Sequence, residues 1–281
     1  MKETAAMVGP VIFALFGVGL LAEIVGGRVT WDRGTAKGLL FAVCGVAGHA
    51  LLAAPVIGFS LGLAFQHVFP NSAESLVDVP FWLVFPPYFL AEELAHYWLH
   101  RWSHEKRWLW KLHRTHHSAE RLNTLVLYRY DVFWTVLLPQ SWFAAAAVHL
   151  GLYEVFAVST LITFSVNALT HTAYRWDLAL RRLPGMEPVF RVLERWITLP
   201  DTHHAHHGLG RHAHVKGNYA VTVFAFDVWF GTARIPHARQ ERFGLPGRFD
   251  WKEELFWPLF RAAPALQAEV GAPPEPGGSR R

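Results

Sequence analysis

The sequence predicts an all-α fold, a polytopic membrane bundle of about five spans carrying a cytoplasmic helical cap. Three observations point there. The 281 residues are 52% hydrophobic and 17% charged, whereas soluble domains carry about 25% charged residues. Long stretches contain no Asp, Glu, Lys or Arg. Of the 17 histidines, twelve fall into two windows, 96–117 and 203–214, which an even spread would not produce. The single cysteine, Cys44, excludes an internal disulfide, a CxxC redox pair and a thiolate-rich metal site.

Ala5 to Ala22 is an uncharged run of 18 residues, about the length a spanning helix needs. It reads as a retained span rather than a secretory signal, because both Lys2 and Glu3 precede it and no small-x-small cleavage site follows. Gly38 to Ala73 is uncharged throughout, too long for one perpendicular helix at ~1.5 Å per residue across ~30 Å of hydrocarbon. It fits one tilted helix with an interfacial extension near Phe65 to Pro70, or two short passes breaking at Pro55. A third span is expected from Pro80 to Leu99, and a hairpin from Val132 to Val148 and Val155 to Leu169.

Charge in the connections sets the parity. Arg28, Arg33 and Lys37 oppose Asp32 in one connection; Arg101, Lys106, Arg107, Lys111, Arg114, Arg121 and Arg129 oppose Glu105 and Glu120 in another. The segment 66–79 and the hairpin tip at 150–154 carry no Lys or Arg. The positive-inside rule then places 28–37 and 100–130 in the cytoplasm, with the N-terminus outside and a single crossing over 38–73. Arg175 to Leu199 reads as an amphipathic surface helix, with Val189, Val192, Leu193, Trp196 and Ile197 opposite Arg191, Glu194 and Arg195. Residues 262–281, rich in Pro, Gly and Ala, read as a disordered tail.

The histidine spacing has chemical meaning. His100 and His104 are four apart; His113, His116 and His117 have offsets of three and four, repeated by His203, His206 and His207. On helices such offsets gather imidazoles on one side. Imidazole suits iron, zinc, copper and nickel, and eight such ligands exceed what one ion takes, so two ions fit the count. The interleaved Trp98, Trp102, Trp108, Trp110 and Leu112 speak for packed helices rather than a loose metal-buffering loop. His171, four after Asn167 at the cytoplasmic end of the last span, is a ninth candidate. Glu93, seven residues before His100, and Asp201, before the last trio, are candidates to accept a histidine's second N–H, with snorkelling or capping as the alternative. His49, His67, His149 and His237 are expected to be packing residues.

The run Glu93, Tyr97, Trp98, His100, Arg101, His104, followed by Leu112, His113, His116, His117 and Ser118, resembles the first two histidine boxes of the fatty acid hydroxylase/sterol desaturase superfamily. Asn167 with His171, the run Leu199, Pro200, Asp201, His203, His206, His207, and the segments Gly217 to Tyr219 and Phe226 to Thr232 resemble the later parts. The resemblance covers about residues 80–235. It divides the chain into N-terminal membrane spans (1–79), the histidine-box domain (80–235), a C-terminal extension (236–261) and the tail (262–281). It implies metal ligation by His100, His104, His113, His116, His117, His203, His206 and His207; His171 joins them as the ninth candidate by position, with Glu93, Asn167 and Asp201 as the candidates for support. Two non-haem iron ions would then use dioxygen to hydroxylate or desaturate a lipid. Three positions depart from the family's pattern. Glu93 stands where Asp is frequent, Lys216–Gly217 where an acid often precedes Asn–Tyr, and His96 where an aromatic residue is common.

Unactivated C–H bonds demand a metal–oxygen oxidant that side-chain acids, bases and nucleophiles do not provide, so no catalytic residue beyond the metal centre is expected. No Gly-rich flavin or nicotinamide fingerprint is present. Electrons are therefore expected from a partner, and the basic cytoplasmic face suits an acidic ferredoxin-like or cytochrome b5-like carrier; no nucleic-acid partner is expected. Sterol, fatty acyl chain, sphingoid base, ether lipid and carotenoid all fit as substrates. The rival readings are a His-rich membrane metal-binding protein or transporter, which should align ionisable residues along several spans, and a membrane cytochrome with paired axial histidines on facing spans.

Overall fold

The first uncharged run becomes α1 (Lys2–Val25) in the computed structural model, which describes residues 2–246 and 250–261. Asp32 accepts from the Thr35 N–H at 2.9 Å and so starts α2 (Arg33–Gly48). A π turn at His49–Ala53 carries α2 directly into α3 (Ala54–Val68), with Pro55 in its first turn, so of the two alternatives for this run the structure has the single continuous helical path and no break at Pro55. Next come α4 (Phe81–Glu105), α5 (Arg107–His117) and a 3₁₀ turn at Thr124–Tyr128. The stretch Val132 to Val148 is not one helix. It breaks into α6 (Trp134–Leu137) and α7 (Pro139–Leu150), because Pro139 cannot continue a helix but can open one. α8 (Tyr153–His171) follows.

Among the described residues, three helical stretches are long and apolar enough to cross a membrane: α1, the continuous α2–α3, and α8. α4 has the length, but Glu92 and Glu93 are buried within it. α7, at 12 residues, is only ~18 Å long. All of these elements nevertheless run between the same two ends. At one end Lys2 pairs with Glu74 at 2.6 Å, Glu74 N–H donates to the His149 carbonyl at 2.8 Å, and Leu76 N–H to the Leu150 carbonyl at 3.0 Å. Gly151 turns α7 into α8 there with φ +84, and its missing β-carbon leaves room for Val77 and Glu74. At the opposite end the Glu23 carboxylate, at the foot of α1, accepts from Ala173 N–H at 2.7 Å and Thr124 N–H at 3.0 Å.

Beyond α8 the chain stays at this second end. The expected surface helix over 175–199 is two pieces, α9 (Trp176–Arg181) and α10 (Met186–Leu193), separated by a turn with Gly185 at φ +79. Its apolar residues Val189, Val192, Trp196 and Ile197 are exposed. α11 (Pro200–His207) is buried along its whole length. It leads into β1 (Gly208–Leu209), which pairs antiparallel with β2 (Arg242–Phe243). α12 (Ala225–Trp229) packs Phe226 against Tyr97 of α4. α13 (Trp251–Phe256) closes the cap. Glu254 pairs with Lys37 at 2.7 Å, its carbonyl accepts from the Thr115 hydroxyl, and the Leu255 carbonyl accepts from Val132 N–H at 2.9 Å. The expected tail at 262–281 lies outside the described residues.

Candidate metal centre

Four helices meet where α4 and α8 end, and each brings histidines. His100 and His104 of α4, His113 and His117 of α5 and His206 of α11 form one buried group whose nitrogens all lie within 4.8 Å of one another. His116 of α5, His171 at the last position of α8, and His203 and His207 of α11 form a second group within the same limit. All nine histidines singled out from the sequence are thus brought together. The two groups adjoin, with the His117 and His207 rings stacked at 4.4 Å. Each trio is divided between them: a pair four apart goes to one group, and the third member goes to the other.

Backbone carbonyls orient three of the rings. His100 Nδ1–H donates to the Tyr219 carbonyl at 2.6 Å, His206 Nδ1–H to Gly217 at 2.8 Å, and His171 Nδ1–H to Asn167 at 2.9 Å. Each bond selects the tautomer that leaves an Nε2 lone pair facing its group. The loop that supplies two of these carbonyls is itself held. Asp227 accepts from Tyr219 N–H at 2.9 Å, Ala220 N–H at 2.8 Å and the Thr232 hydroxyl at 2.6 Å. Asn218, at φ +57, donates through Nδ2 to the Thr202 and Arg234 carbonyls.

Two of the three supporting residues, Glu93 and Asp201, act differently from expectation. Glu93 takes no histidine N–H; its carboxylate accepts from the Thr163 hydroxyl at 3.0 Å and from the N–H groups of Thr222 and Val223 at 2.9 and 3.3 Å. Asp201 binds Arg175 at 2.6 Å and the N–H of His237 at 2.7 Å, so it holds the chain after α8 rather than a ring. Asn167 does serve His171, but through its carbonyl, which any residue would supply. Spacing between side chains gives no sign of partners that are backbone atoms, so Gly217 and Tyr219, although part of the segment that resembles the family, carried no assigned role. Asp227 lay in the Phe226 to Thr232 run already singled out, and that was the available signal. His96 and His214 join neither group; they bond Gln140 and the Thr232 carbonyl respectively. His204 is buried against the Thr172 carbonyl.

The donor set fits metal ions. His100 Nε2, both nitrogens of His104, His206 Nε2 and His207 Nε2 are buried without a hydrogen-bond partner, a costly condition unless something accepts their lone pairs. Nε2 atoms lie 3.1 Å apart in His113–His117, 3.2 Å in His116–His171 and 3.0 Å in His171–His203. Two nitrogens bound at right angles to one ion, each at roughly 2.1 Å, would lie about 3.0 Å apart. Protons do not fill the role well. Burial, followed by repulsion from neighbouring rings, holds His113, His116, His117, His203 and His207 well below the ordinary imidazole range. Burial pushes His206 down to about 3.

Known proteins are similar to this chain in sequence. The alkylglycerol monooxygenase of Xenopus tropicalis is 25% identical over 215 residues, covering 69% of this chain and 43% of that protein. The alkylglycerol monooxygenase of Danio rerio is 30% identical over 176 residues, covering 60% and 36%. A methylsterol monooxygenase of Aspergillus fumigatus is 29% identical over 188 residues, covering 64% and 55%. The chain therefore spans about half the length of these relatives, or less. No solved structure matches. Residues 85–232, which contain all nine histidines of the two groups, match the family described as Fatty acid hydroxylase. With more than half of its length matched, this chain belongs to the fatty acid hydroxylase family.

Proposed function

We propose that this chain is an integral-membrane, dioxygen-dependent lipid monooxygenase whose nine grouped histidines hold two iron ions. The observation that carries the reading is the pair of adjoining buried groups with unpartnered ring nitrogens. The similarity to alkylglycerol and methylsterol monooxygenases supports a monooxygenase reaction on a lipid. When bound, iron supplies the activation of dioxygen that side chains cannot.

The protein's own work is to hold, orient and shield. The carbonyls of Tyr219, Gly217 and Asn167 fix three imidazoles as neutral donors. Trp134, 1% exposed, lies 4.7 Å from the His113 ring, Tyr219 packs beside His100, and Tyr97 packs on Tyr219, so bulk water is kept from that side. The shared end-to-end run of α1, α2–α3, α4, α6–α7 and α8 supports five crossings. In that reading α7 completes a broken fourth crossing and the acids of α4 are sheltered between helices. The Lys- and Arg-rich connections lie at the histidine end, which supports a cytoplasmic site with the N-terminus outside. Lipid then enters from the bilayer and electrons come from an acidic ferredoxin-like or cytochrome b5-like carrier.

The test is the metal content of the detergent-purified full chain after anaerobic ferrous reconstitution, followed by dioxygen uptake with lipid. Two irons per chain, reduced in His113→Ala and His206→Ala together with lipid-dependent uptake, is the expected result. A Soret band, or weak metal binding that survives both substitutions, would overturn the reading.

A further inference from the structure

His96 belongs to the first histidine window but to neither group. It lies on α4 one turn before His100, the two rings at 87° with centroids 5.9 Å apart. Its Nδ1 is 2.7 Å from Oε1 of Gln140, which sits in the first turn of α7 because the chain breaks at Pro139. Gln140 Nε2 is buried with no hydrogen-bond partner. A buried donor without an acceptor is costly, so this position calls for an oxygen that the protein does not supply.

The pair has a defined complement. With Nδ1–H donating to Oε1, the other ring nitrogen of His96 is an acceptor while the Gln140 amide remains a donor. Exchanging the amide oxygen and nitrogen reverses both roles and leaves the pair offering the same thing, one donor and one acceptor. A hydroxyl satisfies both at once. An ether or ester oxygen only accepts, and a methylene does neither. The seam between α4 and α7 is otherwise apolar on the far side of this spot, with Tyr88 against Phe143 at 5.5 Å and Phe85 stacked on Phe89 at 5.4 Å. The neighbouring polar residue Glu92 is occupied by the Ser159 hydroxyl.

We propose that His96 and Gln140 form a subsite that reads a hydroxyl of the lipid, so that the substrate is a lipid alcohol. Its hydroxyl is anchored one helical turn from His100, its apolar body lies along the α4–α7 seam, and the carbons nearest the hydroxyl reach the five-histidine group. The choice of a lipid rests on the monooxygenase reading above; the subsite itself is defined by this chain's side chains.

The experiment measures equilibrium binding of radiolabelled octadecan-1-ol to the iron-loaded full chain in mixed micelles without dioxygen. Unlabelled octadecan-1-ol, 1-methoxyoctadecane and octadecane compete. The wild-type chain should rank the alcohol at least tenfold above the ether and the alkane. In Gln140→Leu, and separately in His96→Phe, the three should compete equally while iron content is retained. A wild-type chain that does not prefer the alcohol overturns the proposal without recourse to any variant, and so do folded variants that keep the preference. A wild-type chain that prefers the alcohol but neither holds iron nor consumes dioxygen would keep this subsite and remove the monooxygenase reading.

Discussion

On α1 and the α2–α3 path the large apolar side chains point outward. Phe13 is 58% exposed, Phe59 70% and Leu51 80%. In the cap the opposite holds: all eight residues of α11 are buried, four of them histidines, and Arg114, Thr115 and Asp131 lie inside as well. The first region is arranged for a solvent that is itself apolar, where backbone groups must be satisfied within the helix and outward side chains need no partner. The second buries polar groups at high cost and recovers that cost only if every group is matched. A change of protonation or of one hydrogen-bond partner should therefore disturb the cap severely and leave α1 to α3 nearly untouched.

The largest effect is expected on acidification. His113, His116, His117, His203, His206 and His207 are all held below the ordinary imidazole value, chiefly by burial. In the unfolded chain they take up protons near pH ~6.5. Below that pH the unfolded state binds more protons than the folded one, so the stability they contribute is full above ~6.5 and lost as pH falls toward the folded values. Each contributes up to ~1.4 kcal/mol per pH unit, against a total stability of ~5–15 kcal/mol. Bound metal competes with the same protons and keeps the sign. Between pH 7 and 5 the cap should release its iron and become protease-sensitive while far-ultraviolet circular dichroism still reports the apolar helices. Parallel loss of both signals would break the contrast.

Asp227→Ala should rank next. It frees the N–H groups of Tyr219 and Ala220, and with them the carbonyls that orient His100 and His206. Loss of such an outer partner costs about 10–100-fold in metal affinity, readable as iron retained against a graded chelator. Glu93→Gln touches the same loop through Thr222 and Val223, and should show a smaller loss of the same kind. Unchanged iron retention in Asp227→Ala would mean that the loop does not position the rings.

A third effect concerns the cap's outer face. Lys106 and Arg107 are exposed, whereas Lys111 is only partly exposed and lies 3.8 Å from Glu253. Reversing Lys106 and Arg107 to Glu should slow reduction by an acidic carrier about tenfold at low salt. The difference should vanish near ~1 M salt, where the Debye length is ~3 Å. Equal rates at every ionic strength would remove the acidic-carrier expectation.

Legibility differs between the same two regions. Hydropathy marked α1, α2–α3 and α8, because in an apolar solvent composition alone decides the segment. It failed at Val132 to Val148, where Pro139 matters more than the average, and it could not say that α9 and α10 part at Gly185. In the cap, ligand spacing marked the nine histidines, since offsets of three and four have a fixed meaning on a helix. How each trio is shared between two groups depends on how α4, α5, α8 and α11 cross, and no local pattern encodes that. The roles assigned to Glu93 and Asp201 went astray for a related reason: a carboxylate near a histidine in sequence can be claimed by N–H groups from distant segments, here 222–223 and 237–238.

The smallest expected effect completes the contrast. Leu51 lies in the π turn and is 80% exposed, so Leu51→Ala removes side-chain atoms that touch lipid or detergent rather than protein. A buried leucine replaced by alanine leaves a cavity and costs ~2–5 kcal/mol; here there is no cavity to leave. Stability in detergent should stay within ~0.5 kcal/mol of the parent, and iron content and activity should not change. Leu255→Ala supplies the matched control, because Leu255 is fully buried beneath the histidine-bearing α5, and it should cost the full amount of a core truncation. If Leu51→Ala were as damaging as Leu255→Ala, the outward apolar face of α2–α3 would be a protein contact rather than a lipid-facing surface.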